Sequence, residues 1–196
     1  MIRILLFIKH RFSFVWLMVE WINGIFFSII FRQRLNKILS HVFDPPNNSS
    51  YDHKILEKKD IESLHLLLHS QDSSDLKYFN PHPFDLKSLK RKIKNPAFLM
   101  MGSYDGEKLV GYFFLRFFIN RKCFVGRIID KSYRGKGIGE MMNRIMYEIA
   151  WGMGFRCLST ISKNNIPVVR AHARNSSMTV LKELPDNYIL VEFVRP

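Results

Sequence analysis

The sequence predicts an α/β domain of alternating strands and helices, preceded by an extra apolar helical segment. Its 196 residues are enough for one hydrophobic core with a short appendage. Apolar residues follow strand spacing in some stretches and helix spacing in others, which predicts both kinds of element in one domain. The most informative stretch is 125–140, where an apolar strand leads through a basic, glycine-rich turn into a helix start.

The first 44 residues form a segment of their own character. Residues 12–31 are aromatic and aliphatic, interrupted by Glu20, Asn23 and Gly24 and flanked by basic residues. Twenty residues can span a bilayer, but a carboxylate near the middle costs about 2.5–3.5 kcal/mol there. We therefore expect first a helical hairpin docked on a membrane, second a packed accessory of the core, and third a transmembrane span. No small-residue cleavage site follows, so a signal peptide is not expected.

A linker and the main domain follow this segment. Residues 45–50 combine Pro, Asn and Ser, which can neither continue a helix nor pack apolar surface, so the main domain is assigned to 51–196. Its first elements are expected to be a strand at 53–57, a helix with Asp60 as N-cap, a helix at 86–93, and paired strands at 97–101 and 109–118. The last of these strands is nearly all apolar, which is typical of a strand covered on both faces.

The glycine-rich turn is suited to phosphate. Gly135, Gly137 and Gly139 stand at alternate positions just before a helix predicted over 141–152. The N–H groups at a helix start have no intrahelical acceptor, and they lie at the positive end of the helix dipole. Phosphate oxygens bind well to such groups, and glycine lets the ligand approach the backbone. The alternative is an ordinary glycine-rich turn.

Two common phosphate motifs do not fit this turn. A P-loop would close with Gly-Lys-Ser/Thr, whereas this segment closes with Gly137, Ile138 and Gly139. A Rossmann fingerprint would need its last glycine at the position of Glu140 and an acidic residue near the end of the next strand, where 158–162 has none. A third pattern, Arg/Gln-x-x-Gly-x-Gly/Ala, is met by Arg134, Gly137 and Gly139.

With that third pattern the segment resembles the acyl-CoA loop of the GCN5-related N-acetyltransferases, the GNAT superfamily. The order of the following elements resembles the family as well: a strand at 156–161, a helix at 166–174, and a closing hairpin of 178–181 and 188–193. The family's usual Gly-Phe before this hairpin is missing, with Ser176 and Ser177 near its place. The resemblance implies an α/β (α+β) fold with a mixed, largely antiparallel central sheet flanked by helices.

The resemblance also implies acetyl-CoA as co-substrate. The strand end would pair with the pantetheine arm and the turn would hold the pyrophosphate, through Ile128, Ile129, Asp130, Arg134, Gly135, Lys136, Gly137, Ile138 and Gly139. Asn165 corresponds to an Asn that contacts pantetheine or orders a water, and Asn also caps helices well. Seven positions later, where the family has a Tyr as general acid, this chain has His172, whose protonated imidazole could donate to the CoA thiolate.

For three ionisable residues, a catalytic role has to be weighed against a simpler explanation. His172 can be an ordinary helix residue. His82, between two prolines in the loop expected to border the acceptor, is the candidate general base, although water often carries the amine proton in this family. Asp130 ends a strand before a turn, where a carboxylate more often accepts local backbone hydrogen bonds than acts as a base.

The charge of the chain favours anionic partners. Thirty Lys and Arg stand against seventeen Asp and Glu, a net charge of +13. We expect a small, anionic amine acceptor such as an amino sugar, rather than a polycation, and an anionic membrane surface at the N-terminal segment. Nucleic acid is not expected, because the aromatic residues fall in apolar runs instead of alternating with basic ones.

The remaining composition excludes several chemistries. The seven His show no metal-ligand spacing, so no metal is expected, and Cys123 and Cys157 are expected to be buried thiols of a cytosolic protein. The location is expected to be cytoplasmic or peripheral on the inner face of the membrane. The alternative function is a non-catalytic CoA-binding or membrane-surface adaptor.

Overall fold

A seven-stranded mixed sheet forms the centre of the molecule. The computed structural model describes residues 13–43, 50–173, 175 and 177–195. The sheet order is β1-β2-β3-β4-β5-β7-β6. Its strands are β1 (Asp52–Ile55), β2 (Phe98–Asp105), β3 (Lys108–Phe118), β4 (Lys122–Ile129), β5 (Arg156–Ser162), β6 (Met178–Leu184) and β7 (Tyr188–Phe193). Strands β4 and β5 are parallel and the other neighbours antiparallel, which confirms the predicted fold class.

Helices cover both faces of this sheet. They are α1 (Ser13–Phe43), α2 (Ile61–His69), α3 (Ser73–Leu76), α4 (Leu86–Lys92), α5 (Ile138–Gly152) and α6 (Ile166–Ala173). One apolar cluster joins α1 and α5 to one face, and a second joins α2 and α4 to the other. Strand β3 contributes to both clusters, Val110 and Phe113 to the first and Tyr112 and Phe114 to the second, which explains its nearly continuous apolar sequence.

The N-terminal segment is one continuous helix from Ser13 to Phe43, so the predicted hairpin is wrong for the described residues. The chain does not turn at Gly24. This glycine instead allows Asn95 to approach the helix closely, since a Cβ there would lie 2.7 Å from Asn95 Oδ1. Asn23 also stays in the helix, since its amide donates to Phe117 O at 2.8 Å. The predicted linker falls mostly outside the described residues.

The inner face of α1 belongs to the first apolar cluster. Phe27, Phe31 and Leu35 are buried there, and the Phe27 ring stacks on Phe117 with ring centres 4.8 Å apart. Glu20, the residue expected to oppose membrane insertion, pairs with Lys92 at 2.8 Å and Arg116 at 2.6 Å. The helix is therefore packed as an accessory of the core. Of the helices described, none combines the length and apolarity needed to cross a membrane.

Asp60 stands at the N-cap of α2, as predicted, but its side chain makes no capping hydrogen bond to that helix. The Asp60 carboxylate accepts hydrogen bonds from Glu57 N at 2.7 Å and from Tyr104 Oη at 3.0 Å, so it is not available to cap the helix. A short 3-10 helix, Lys58–Asp60, leads into α2 instead. Helix α3 was not predicted from the sequence, since four residues are too few to show a helical period.

Candidate functional site

A wedge between β4 and β5 opens beside the glycine-rich turn. The two strands pair over only three described positions, Lys122 with Arg156, Cys123 with Cys157 and Phe124 with Leu158. At the point where they part, Ser159 Oγ donates to Val125 O at 3.1 Å. Beyond this point, the β4 edge that faces β5 leaves the ladder and becomes available to an added half-strand. The predicted pantetheine residues Ile128 and Ile129 lie at this end of β4.

The phosphate loop, residues 130–139, follows directly. Gly135 and Gly137 adopt left-handed backbone angles, φ +76° and +82°, and a Cβ at either would meet no atom within 4 Å. Glycine is required here by conformation, while the space beside it stays open. Gly137 is the N-cap of α5, and the first amide to bond back into the helix is that of Glu140. The N–H groups of Ile138 and Gly139 therefore precede the intrahelical ladder, as an anion site requires.

Two acidic residues of the α3 region hold this loop in place. The Arg134 guanidinium donates to both carboxylate oxygens of Asp75, at 3.2 and 2.8 Å, and to Ile129 O at 3.1 Å. Lys131 pairs with Asp72 at 2.9 Å. The arginine of the sequence motif thus uses its side chain to fix the end of β4 and the loop, while its backbone N–H donates to Lys131 O at 3.4 Å.

Asp130 is committed to the loop itself. Its carboxylate accepts from Ser132 N at 2.9 Å and Ser132 Oγ at 2.5 Å. Burial alone would raise the pKa of Asp130, but these hydrogen bonds outweigh it and leave the pKa below its ordinary value. The carboxylate is therefore a local acceptor that shapes the turn, as expected for an acid at a strand end.

Arg127 places a positive charge beneath the loop. Its Nε donates to Asn143 Oδ1 at 2.8 Å, and its Nη1 lies 2.7 Å from the position a Cβ of Gly139 would take. No carboxylate among the described residues forms an ion pair with this part-buried guanidinium. Burial lowers its pKa, which is consistent with a cation lacking a carboxylate neighbour. A cation at a helix N-terminus is repelled by the positive end of the helix dipole. An anion bound there would offset this repulsion.

Two lysines border the loop on its outer side. Lys108 Nζ and Lys136 Nζ lie 4.9 and 4.7 Å from the centre of the Tyr133 ring. Tyr133 belongs to the 3-10 helix Lys131–Tyr133 inside the loop, so both ammonium groups are held close to the open glycines. Together with Arg127 they make the surroundings of the loop cationic.

The residues predicted to act beyond the loop lie at the start of α6 and within it. Asn165 caps α6: its Oδ1 accepts from Val168 N at 3.4 Å and its carbonyl from Val169 N at 2.9 Å. This is the capping role expected of it, and the predicted contact with pantetheine is compatible with it. His172 lies in α6, but its side chain is outside the described part of the structure.

His82 is enclosed on the other face of the sheet. It is 4% exposed, and its ring lies among Phe84, Phe98 and Tyr112. Nδ1 donates to Pro83 O at 2.9 Å, because a carbonyl can only accept, so Nε2 accepts from Tyr112 Oη at 2.8 Å. Burial lowers the pKa of His82 to about 4. The imidazole is thus neutral at pH 7, with its one basic nitrogen already engaged.

Sequence reasoning missed Asp72 and Asp75, and it did not single out Arg127 from the other basic residues around the loop. The signal for Arg127 is its position inside an otherwise apolar strand, because charged residues are seldom buried in strands unless they have a partner or a ligand. Asp72 and Asp75 gave no signal, because their contacts with the loop join residues 59 positions apart. Within the described residues, no group of three or more His, Cys, Asp or Glu side chains could hold a metal ion.

The arrangement fits the phosphates of a CoA ester. It offers open left-handed glycines, unpaired helix N-terminal N–H groups, and three nearby cations. These are the features that bind a pyrophosphate. The free edge of β4 beside them is suited to the amides of a pantetheine arm.

Solved structures share this fold. The GNAT domain of S. lividans PAT superposes with a TM-score of 0.63 at 12% identity, covering 72% of this chain and 88% of that one. A PaiA N-acetyltransferase from Thermoplasma acidophilum in complex with coenzyme A gives 0.62 at 16%, covering 75% and 100%. A ribosomal-protein-S5-alanine acetyltransferase from Vibrio fischeri gives 0.58 at 15%, covering 74% and 93%. At such low sequence identities, these three structures establish only that the chain shares their fold.

The sequence itself decides the family. No curated protein sequence matches the chain significantly. The model of the acetyltransferase (GNAT) family matches residues 63–176, which is more than half of the chain and includes the phosphate loop. We conclude that this protein belongs to the GNAT acetyltransferases, with acetyl-CoA as its co-substrate.

Proposed function

We propose that the protein is an N-acetyltransferase that moves the acetyl group of acetyl-CoA to the amine of a small, anionic acceptor. An amino sugar linked to a nucleotide or a lipid has the required chemistry. The observation that carries the proposal is the open, left-handed glycine loop at the start of α5, next to the free edge of β4. We also propose a cytoplasmic location, peripheral on the inner face of the membrane.

In this proposal the loop and β4 bind and orient the co-substrate. The β4 end, Ile128 to Asp130, pairs with the pantetheine amides, while the backbone N–H groups from Arg134 to Gly139 bind the pyrophosphate. Asn165 contacts the pantetheine or orders a water. Such positioning is a large part of acyl transfer, because it converts an encounter in solution into a reaction between aligned groups.

The chemical step moves one acetyl group and one proton. The amine nitrogen forms a bond to the thioester carbonyl carbon, the carbon–sulfur bond breaks, the amine loses a proton, and the CoA thiolate gains one. We assign the proton donor to His172, because a protonated imidazole can donate to the departing thiolate. His82 can take the amine proton only when Tyr112 Oη releases Nε2, so its proposed role as base requires Tyr112 or the segment around Pro81 and Pro83 to move.

The cations around the loop support an anionic acceptor. Lys108, Lys136 and Arg127 lie within or beside the loop, and the chain carries a net charge of +13. Such a field attracts anions and repels polyamines or basic peptides. CoA phosphates will neutralise part of this positive charge. The acceptor screen should therefore compare each amino sugar with its phosphorylated form, to test whether the remaining charge favours an anion.

Calorimetry of acetyl-CoA binding with the full chain is the first test. Gly137→Trp should abolish the binding, because the indole would occupy the space beside the loop. Gly154→Trp is the matched control, since Gly154 has a similar φ of +74° and is exposed at the far end of α5. The proposal fails if folded wild-type protein binds no acetyl-CoA, or if both variants bind as the wild type does.

Replacement of His172 tests the proton donor. His172→Tyr should retain turnover, because Tyr is the residue that the resemblance places there, and should shift the alkaline limit of the rate to higher pH. His172→Phe should lose turnover by about 10²-fold while acetyl-CoA affinity is unchanged. Equal rates in both variants would remove His172 from the mechanism.

The second candidate is a non-catalytic CoA-binding or membrane-surface adaptor. The enclosed His82 favours it, since this predicted base is buried and bonded to Tyr112 instead of being free to take a proton. Acetyl-CoA binding without turnover of any amine, in wild type and His172 variants alike, would select this function.

A further inference from the structure

The outer face of α1 is the largest exposed apolar feature of the described residues. Seventeen large apolar side chains are exposed, and eight of them fall between Met18 and Ile30. They lie on the half of the helix opposite Phe27 and Phe31, which are buried in the core. Ile29 is the most exposed, at 75%. A contiguous apolar patch of this kind on a folded protein marks a surface that binds something.

Basic residues border this face on two sides. Helix α4 is tied to α1 by the Lys92–Glu20 ion pair and by the contact of Asn95 with Gly24. This helix and the two residues after it expose four cations: Lys87, Lys90, Arg91 and Lys94. The turn after β3 is tied to α1 by Asn23, which accepts from Ile119 N at 3.2 Å, and it exposes Arg121 and Lys122. Arg32 and Lys37 extend the border along α1.

One exposed carboxylate lies at the edge of this border: Asp85, the N-cap of α4, which accepts a hydrogen bond from Ser88 N at 2.9 Å. Glu20 is the only acidic residue of α1, and both its oxygens are used by Lys92 and Arg116. Residues 86–94, which are α4 and the two residues after it, and residues 119–122 of the turn contain no Asp or Glu. Positive charge therefore predominates around the apolar face, with Asp85 as the exposed acid at the start of α4.

We propose that this face docks on an anionic lipid bilayer. The apolar side chains, with Trp21 among them, would enter the boundary between headgroups and acyl chains, and the basic border would contact the headgroup phosphates. Helix α1 then lies between the bilayer and the core, its inner face still packed on Phe117 and Phe155. A second copy of the chain is a poorer occupant, because it would bring an identical cationic border against this one.

This inference goes beyond acetyl transfer, since docking needs neither CoA nor an acceptor. The test is cosedimentation of the full chain with phosphatidylcholine vesicles that contain or lack phosphatidylglycerol. Wild-type protein should bind the anionic vesicles and not the neutral ones, and added salt should weaken the binding. Ile29→Glu should lower the vesicle affinity by about tenfold or more.

Substitutions elsewhere on the surface control for the general effect of adding an acid or removing a cation. Leu66→Glu changes a Leu on α2 that is 69% exposed and lies outside the apolar face of α1, so it should bind vesicles as the wild type does. Lys90→Gln with Lys94→Gln should weaken binding to anionic vesicles, whereas Lys182→Gln on β6 should not. Acetyl-CoA affinity in solution should be the same for every variant, which separates failure of docking from failure of the active site.

Three outcomes would overturn the proposal. One is a folded wild-type protein that binds neither vesicle. Another is vesicle binding that Ile29→Glu and Leu66→Glu change equally. The third is a dimer in solution that Ile29→Glu dissociates without any vesicle binding, which would assign the face to a second copy of the chain.

Discussion

The phosphate loop and the His82–Tyr112 pair both gather polar groups close to β4, yet they present them in opposite ways. In the loop, two left-handed glycines border open space, the N–H groups of Ile138 and Gly139 precede the helical hydrogen bonds, and Arg127 has no carboxylate partner among the described residues. In the pair, both imidazole nitrogens are bonded inside an apolar cluster. Polar groups left open at a strained turn point to a ligand, whereas buried groups satisfied by each other stabilise the fold.

The comparison distinguishes polar residues that bind a ligand from polar residues that stabilise the fold, although both kinds can be candidates in the sequence. If it is right, changes at the His82–Tyr112 pair alter stability and leave acetyl-CoA binding intact, while changes around the loop do the reverse. The following predictions test that separation, beginning with the largest effect.

The free energy of unfolding should fall as the pH is lowered from about 6.5 to about 4. The folded pKa of His82 is about 4, below the value of about 6.5 for an unfolded chain. In this window the unfolded state binds a proton that the folded state does not, so stability is present above pH 6.5 and is lost towards pH 4. The His82 contribution is about 3 kcal/mol.

Denaturant unfolding at several pH values measures this loss. The double variant His82→Phe/Tyr112→Phe removes both partners, so its stability should vary less across the same window by about that amount. Parallel curves for wild type and double variant would show that His82 is not the titrating group.

Tyr112→Phe alone should destabilise the fold by about 2 kcal/mol, because it leaves His82 Nε2 buried without a donor. Acetyl-CoA affinity, measured by calorimetry, should stay at the wild-type value. The double variant with His82→Phe should regain part of the stability, since it removes the unsatisfied nitrogen. A Tyr112→Phe protein with normal stability and weakened acetyl-CoA binding would contradict the comparison.

Arg127→Met should weaken acetyl-CoA binding by about tenfold at low salt, with less effect at high salt, because it removes one cation beside the loop. The matched control is Arg144→Met, an exposed arginine of α5 that pairs with Glu148. It should change the affinity little. If the two substitutions weaken binding to the same extent, Arg127 has no special contact with the phosphates.

Asp75→Asn should give the smallest effect, a loss of about threefold in acetyl-CoA affinity, because partly exposed ion pairs contribute little. The substitution weakens the two hydrogen bonds from Arg134 and lets the loop move. Asp186→Asn, in the turn between β6 and β7, is the control for a lost surface charge. An affinity that rises in Asp75→Asn would mean that Asp75 competes with the ligand for Arg134.

Element order and the phosphate loop were predictable from the sequence because their signals are local. A glycine pattern before a helix and apolar runs of strand length need no distant partner to be recognised. The continuity of α1 was not predictable, since Asn23 and Gly24 suggest a break until Phe117 and Asn95 are seen to contact them. The state of His82 was not predictable either, because its partner Tyr112 lies 30 positions away.

By itself, the sequence determined the fold class, the family and the position of the glycine-rich turn before α5, because short-range spacing and backbone conformation encode them. Tertiary structure decided which polar groups are free and which are engaged. It enclosed His82, neutralised Glu20 with Lys92 and Arg116, and left Arg127 without a carboxylate beside Gly139. The physical reason is that burial and charge pairing depend on contacts between residues far apart in the chain, and these contacts exist only once the sheet and helices have packed.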